Sequence, residues 1–123
     1  MRTPQRISGA ERQIMEFIWA AKRPVTTREI LQNLPLDKTW KQSTVVTFLS
    51  RLVEKGVLTP TRISKANFYE PCLTEQEYKE HETKLFIEDV HKGSFLGFFA
   101  AMCDSGALTS ADISALMQRI KDR

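Results

Sequence analysis

Lys41, Gln42, Ser43 and Thr44, followed by Val46, Thr47, Ser50 and Arg51, form a run of side chains whose size and polarity suit a nucleic-acid groove. Serine and threonine hydroxyls bond to phosphate oxygens or base edges, glutamine pairs with adenine, and an outward valine packs on a thymine methyl. Glu54 is the only acid on that face, whereas an ordinary solvated helix face carries both charge signs. The run is therefore read as a DNA-contacting surface. Arg62 and Lys65 are the only charges between Val57 and Asn67, and both are positive. They are read as a phosphate clamp, although the same pair would also guard a hairpin edge against aggregation.

Other groups able to do chemistry are few. His81 and His91 stand ten residues apart, where two ligands on one helix need a spacing of about three or four to share a metal. Cys72 and Cys103 lie 31 residues apart with no CxxC, so they make neither a zinc ribbon nor a disulfide framework and are read as buried structural thiols. Glu75, Glu77, Glu80 and Glu82 gather near a helix start, where the dipole favours acids without any catalytic role. No phosphate-cradling glycine loop or nucleophile elbow occurs. The expectation is a chain that is not an enzyme and uses no metal or cofactor.

The elements that must position the polar run are legible from caps and periodicity. Ser8 and Glu11 have capping-box spacing, and Ile14, Phe17, Ile18 and Ala21, widened by Met15 and Trp19, give a first helix ended by Lys22-Arg23-Pro24. Thr26 and Glu29 repeat the box, with Val25 stapled on Ile30, and open a short second helix ending near Leu34. After a loop from Pro35 to Thr39, a third helix runs from about Gln42 to Lys55, closed by Gly56. Its inward stripe is Val45, Phe48, Leu49, Leu52 and Val53. Val57 to Ile63 and Asn67 to Leu73 read as a hairpin around Ser64-Lys65-Ala66. Pro60 and Pro71 suit its edges or strand ends.

Thr74 and Glu77 form a third box, opening a long helix through about His91 that Gly93 breaks. Phe95 to Met102 is apolar almost all round, the pattern of a helix surrounded by protein. Thr109 caps a last helix striped by Ile113, Leu116, Met117 and Ile120.

Three helices and a hairpin, in that order, spell a winged helix-turn-helix, whose third helix enters the major groove. The fold class expected is mainly α with a small β-hairpin: a winged-helix DNA-binding domain over residues 1–72 and a helical dimerisation domain over residues 73–123. Charge divides at the same place. Residues 1–72 carry twelve Lys/Arg against six Asp/Glu, while residues 73–123 carry six against nine. A basic front meets a polyanion, and the acidic back does something else.

That back segment carries more apolar surface than about 50 residues can cover alone. A second copy is the expected partner, through Leu85, Phe86, Phe95, Phe98, Phe99, Ile113, Leu116, Met117 and Ile120, setting two basic modules on a palindromic site. No apolar run reaches the ~18 to 20 residues of a membrane span, and the Met-Arg-Thr-Pro start lacks a signal-peptide core. No membrane insertion and a cytoplasmic location are expected. The competing reading is an adaptor that uses its third helix to bind protein and leaves DNA alone.

The chain also resembles the BlaI/MecI/CopY family of bacterial transcriptional repressors. The likeness lies in Ile7-Ser8-Gly9-Ala10-Glu11 with Ile14-Met15 and Ile18-Trp19, in Trp40 followed by Ser43-Thr44-Val45 and Thr47, and in Arg51-Leu52-Val53-Glu54-Lys55-Gly56. It continues in Phe68-Tyr69 and in a glycine-phenylalanine segment before the last helix. The resemblance implies a homodimer, paired through its C-terminal helices, that binds a dyad-symmetric operator and represses resistance genes, commonly for β-lactams. It also implies a functional link to a membrane sensor protease, whose signal leads to a cut in the tail. Family members are cut at an Asn-Phe pair after the glycine, and Ala101-Met102 stand there in this chain as the candidate cleavage region. The copper branch ends in clustered cysteines, where this tail has only Cys103. Lys41-Gln42 and Val46 also depart from the family's usual recognition-helix residues, which implies a different operator sequence.

Overall fold

Ser8 and Glu11 do what their spacing demands. The Ser8 hydroxyl accepts from the Glu11 amide, the Glu11 carboxylate accepts from the Ser8 amide, and α1 runs Gly9–Ala21 from that box. The same device opens α2 (Thr27–Gln32), with Thr26 as cap and Glu29 as its reciprocal partner. The computed structural model describes residues 4–34 and 39–123. Of the loop expected from Pro35 to Thr39, positions 35–38 lie outside the described residues.

The third helix, α3, spans Gln42–Glu54. Gly56, with φ of 81°, ends it. Its amide donates to the Val53 carbonyl and the Val57 amide to the Leu52 carbonyl, the paired bonds of a Schellman stop. Three strands form one antiparallel sheet in the order β1 (Val25–Thr26), β3 (Ala66–Pro71), β2 (Leu58–Ile63). The two-residue β1 was not legible in sequence, because Val25 and Thr26 already served as staple and cap. Its partner is Tyr69-Phe68, more than forty positions away.

The hairpin is tighter than the sequence reading. Ala66 belongs to β3 opposite Ile63, and only Ser64 and Lys65 form the turn, with φ of 46° and 70°. Positive φ at both positions matches the right-handed twist of the strands. Pro60 sits on edge strand β2, where its missing amide costs no second ladder bond.

The core closes where these elements meet. Ile14, Met15 and Ile18 of α1, Ile30 of α2, and Val45, Leu49 and Leu52 of α3 are fully buried beside Val25, Val57, Leu58 and Tyr69. Phe48 and Val53, expected in the inward stripe, pack on its margin. Tyr78 is buried in the same core. It lies near the start of α4 (Glu75–Val90), which opens on the Thr74 and Glu77 box.

The chain divides into two compact units, residues 1–82 and 83–123. The first turns of α4 thus belong with the winged helix, ten residues beyond Cys72. The second unit holds the rest of α4, then α5 (Phe95–Ser105), capped by Ser94, and α6 (Ser110–Lys121), opened by a Thr109 and Asp112 box. None of its residues is buried within the chain. The enclosure expected for Phe95 to Met102 is not supplied within one chain, where Phe95 is 61% and Leu96 79% exposed. Among the described residues, no helix is long and apolar enough to cross a membrane.

Candidate nucleic-acid interface

The inner and outer faces of α3 separate as the 3.6-residue period requires. Val45, Leu49 and Leu52 face the core, while Gln42, Ser43, Val46, Thr47, Ser50 and Arg51 are exposed and Thr44 is half-buried. Val46, 40% exposed, is one of only two large apolar side chains that the first unit presents to solvent among the described residues; Ile63 at the wing tip is the other. Gln42, Val46 and Ser50 form one row, and Ser43, Thr47 and Arg51 a second. The Thr47 hydroxyl donates to the Ser43 carbonyl at 3.0 Å. Its one donor is used, so Thr47 offers outward a methyl and an acceptor.

Lys41 occupies the cap position of α3 without a side-chain cap bond, and no acid stands in the first turn. The helix start therefore keeps its positive end open to an anion. Beside it, Thr26, Thr27, Arg28, Gln42, Val46, Ala66, Asn67 and Tyr69 line a concavity of roughly 320 Å³. It joins the start of α2, the first turns of α3 and the base of the wing. Arg28, Thr27 and Asn67 were missed in sequence. Arg28 follows the Thr26 cap at the start of α2, and that position was the available signal for it. Asn67 comes to the site only through its pairing with Arg62 across the hairpin.

Ion pairs hold some cations of this unit and leave others without a carboxylate. Arg12, Arg23 and Lys55 are held by Glu82, Glu29 and Glu11. Hydrogen bonding to their carboxylates raises the pKa of Arg12 and Arg23 above the ordinary guanidinium value. Arg28, Lys41, Arg51, Arg62 and Lys65 have no ion pair among the described residues, so nothing shown in the chain neutralises them. Arg62 lies near the far end of β2 and Lys65 in the turn, so both are carried on the wing, beside Asn67 and Ala66 of the concavity's lining.

The remaining candidates separate. His81 Nε2 lies 2.7 Å from the Pro4 carbonyl, and His91 sits edge-on to Phe86 and Phe98. Cys72 and Cys103 are exposed, which corrects the expectation of buried thiols. Cys72 follows β3 at the surface with its Sγ 2.9 Å from Thr59 Oγ1, and Cys103 lies exposed in α5. Ala101 and Met102 both lie inside α5, so their peptide is in helical form, which a protease must unwind before cutting.

In the second unit, Phe86, Phe95, Ile113, Met117 and Ile120 are exposed, and Leu85, Phe98, Phe99 and Leu116 half-buried. Phe95 packs on Phe98 and Phe99, and Phe86 on Phe98, at centroid distances of 5.6 to 6.2 Å. Leu96 and Val90, absent from the expected set, are exposed on the same unit.

A family model described as penicillinase repressor matches residues 7–122. The chain belongs to that family. It is 26% identical to the penicillinase repressor of Bacillus licheniformis over 99% of this chain and 94% of the relative. It is 28% identical to the methicillin resistance regulatory protein MecI of Staphylococcus aureus, over 89% of each chain. A solution structure of the DNA-binding domain of the repressor BlaI superposes with a TM-score of 0.53 at 34% identity, covering 63% of this chain and 92% of that one. A second, of Bacillus licheniformis BlaI in monomeric form with the blaP half-operator, gives 0.51 at the same identity and coverage. The family is one of transcriptional repressors, and the winged-helix architecture read from the three helices and hairpin is that of the solved relatives.

Proposed function

We propose that this chain is a homodimeric transcriptional repressor that binds a palindromic DNA operator through the outer face of α3 and controls resistance genes of the β-lactam-response type. It acts by occupying DNA in the cytoplasm rather than by catalysis. The observation that carries this reading is the set of five cations left without carboxylate partners around an α3 face that also exposes Val46. Arg28, Lys41, Arg62 and Lys65 bind phosphates, while Gln42, Val46 and Thr47 meet base edges in the major groove. Ser43, Thr44, Ser50 and Arg51 complete that contact surface. A solved relative in complex with a half-operator supports DNA as the partner of this module.

Dimerisation falls to the second unit, where no residue is fully buried within one chain. A second copy would cover Leu85, Phe86, Phe95, Phe98, Phe99, Ile113, Leu116, Met117 and Ile120 about a two-fold axis. Induction through a membrane sensor protease belongs to the same reading, but Ala101-Met102 replace the Asn-Phe pair cut in family members, which argues against release by a cut at that bond.

The test is a salt titration. Duplexes are selected from a random pool by the purified chain, and binding is followed by fluorescence anisotropy. Affinity should fall with a log-log slope of about −0.9 for each phosphate neutralised. A chain that selects no duplex at low salt, or stays monomeric at micromolar concentration, would refute the repressor reading.

A further inference from the structure

Ile63, the last residue of β2, is 49% exposed. Its partner across the hairpin is Ala66, whose methyl is too small to cover it. The core closes with Leu58 at the other end of the strand, and Thr59 to Arg62 between them are exposed as well, so burial does not ask for isoleucine at the tip. The turn beside it carries a second cost. Ser64 and Lys65 hold φ of 46° and 70°, the left-handed region that glycine and asparagine occupy with less strain. Strain of this kind persists where the side chains have a use beyond the turn itself. Between Leu58 and Asn67 the only charges are Arg62 and Lys65, both positive and neither in an ion pair among the described residues. An apolar tip flanked by cations suits a partner that is anionic along its rims and buries aliphatic surface between them, which is the form of a duplex groove.

Strand alternation fixes which groove. Arg62 shares a face of the sheet with Asn67 and Tyr69, and those two line the concavity with Gln42 and Val46 of α3. Arg62 is thereby on the side of the wing toward α3, and Ile63, the next residue of the strand, is on the other. With α3 in the major groove, Arg62 meets the phosphate strand at its edge. Ile63 then lies past that strand, over the adjoining minor groove. That groove is ~6 Å wide, too narrow for a two-stranded ribbon but open to one aliphatic side chain.

We propose that Ile63 is a specificity-determining residue that packs into the minor groove beside each half-site and rejects guanine there, while Arg62 and Lys65 hold the flanking phosphates. The inference rests on the operator reading given above. A G·C pair adds to the acceptors that every pair presents in the minor groove one donor, the guanine N2 amino group, which also stands up from the floor. An isoleucine seated on that group displaces its water and offers no acceptor in exchange, so the donor is left unpaired. An A·T pair has no such donor and leaves the floor free for the side chain. The wing therefore reads A·T against G·C at positions that α3 does not reach.

The experiment uses the full chain and a duplex selected by it. Each base pair of one half-site and its flank is changed in turn to A·T, G·C or inosine·C, and affinity is read by fluorescence anisotropy. Inosine lacks the N2 amino group, so its pair resembles A·T in the minor groove and G·C in the major groove. Under the wing, A·T and inosine·C should bind alike and G·C about fivefold or more weakly. Ile63→Thr, which keeps a branched strand residue, should shrink that gap to less than about twofold and leave the preferences under α3 unmoved. Ser64→Asn combined with Lys65→Gly should raise the unfolding temperature and weaken binding to every duplex, as a turn strained for contact requires. If no pair groups inosine·C with A·T, if Ile63→Thr keeps the full gap, or if the relaxed turn binds as tightly as the original, the inference is overturned and the repressor reading stands. A chain that selects no duplex overturns both.

Discussion

Glu11, in the first turn of α1, and Lys55, the cap residue of α3, meet at 2.5 Å across 44 positions of sequence. Glu11 is only 1% exposed, so its carboxylate is buried with two donors, the Lys55 ammonium and the Ser8 amide. The pair ties the end of the reading helix to the helix that braces it. Burial pushes the Glu11 pKa upward, but the bonds from Lys55 and Ser8 outweigh it and leave the carboxyl below its ordinary value.

The two partners should differ in what their loss costs. Lys55→Ala strands a buried carboxylate and should destabilise the first unit by about 3 kcal/mol. Glu11→Gln leaves an ammonium that still reaches water and should cost about 1 kcal/mol. Urea unfolding measures both, and equal losses would contradict the account of the pair.

Acid should act through the same carboxyl. A lowered native pKa means that Glu11 contributes in full above its ordinary value of 4.5 and loses that contribution as pH falls through the lower native value. Stability followed against pH should therefore drop less steeply on the acid side in Glu11→Gln than in the unaltered chain.

Thr47 should read DNA through its methyl. Because its hydroxyl proton is given to the Ser43 carbonyl, Thr47→Val should keep affinity for a selected duplex, while Thr47→Ser and Thr47→Ala should lose it alike. Val46→Ala should weaken binding by about 1 kcal/mol and relax preference at one thymine, an effect that uracil in that position should reproduce. Equal loss on every sequence would place neither residue on a base.

The unpaired cations should behave differently from that pair. Arg28→Ala, Lys41→Ala or Arg62→Ala should each weaken binding on all duplexes and reduce the salt slope by about 0.9 for each protomer, or about 1.8 for the dimer on its operator. Arg23→Ala, whose guanidinium already pairs with Glu29, should leave the slope unchanged.

A charge on the second unit should separate the copies. Ile120 is 68% exposed in one chain, so Ile120→Glu should barely alter the lone protomer. If a partner covers it, the lost burial is worth about 2 kcal/mol for each side chain, and with both copies of a symmetric dimer altered this comes to roughly a thousandfold in the dimer dissociation constant. Sedimentation equilibrium gives that constant, and an unchanged value would remove Ile120 from the interface.

Much of this molecule follows from interactions between residues three or four apart. The boxes at Ser8 and Glu11, Thr26 and Glu29, and Thr74 and Glu77, the stop at Gly56, and the outer face of α3 all form as their spacing requires. Such contacts are set within a single turn of helix, so residue types and intervals are enough to state them. What spacing could not supply are partners from distant positions. Val25 becomes a strand only because Tyr69 lies beside it, Asn67 and Arg28 reach one concavity only when wing and α2 converge, and Tyr78 joins the core only because Ile7 meets its hydroxyl. The exposure of Cys72 and Cys103 belongs to the same class. Burial depends on which surfaces the folded chain brings together, and no local pattern of residues encodes it.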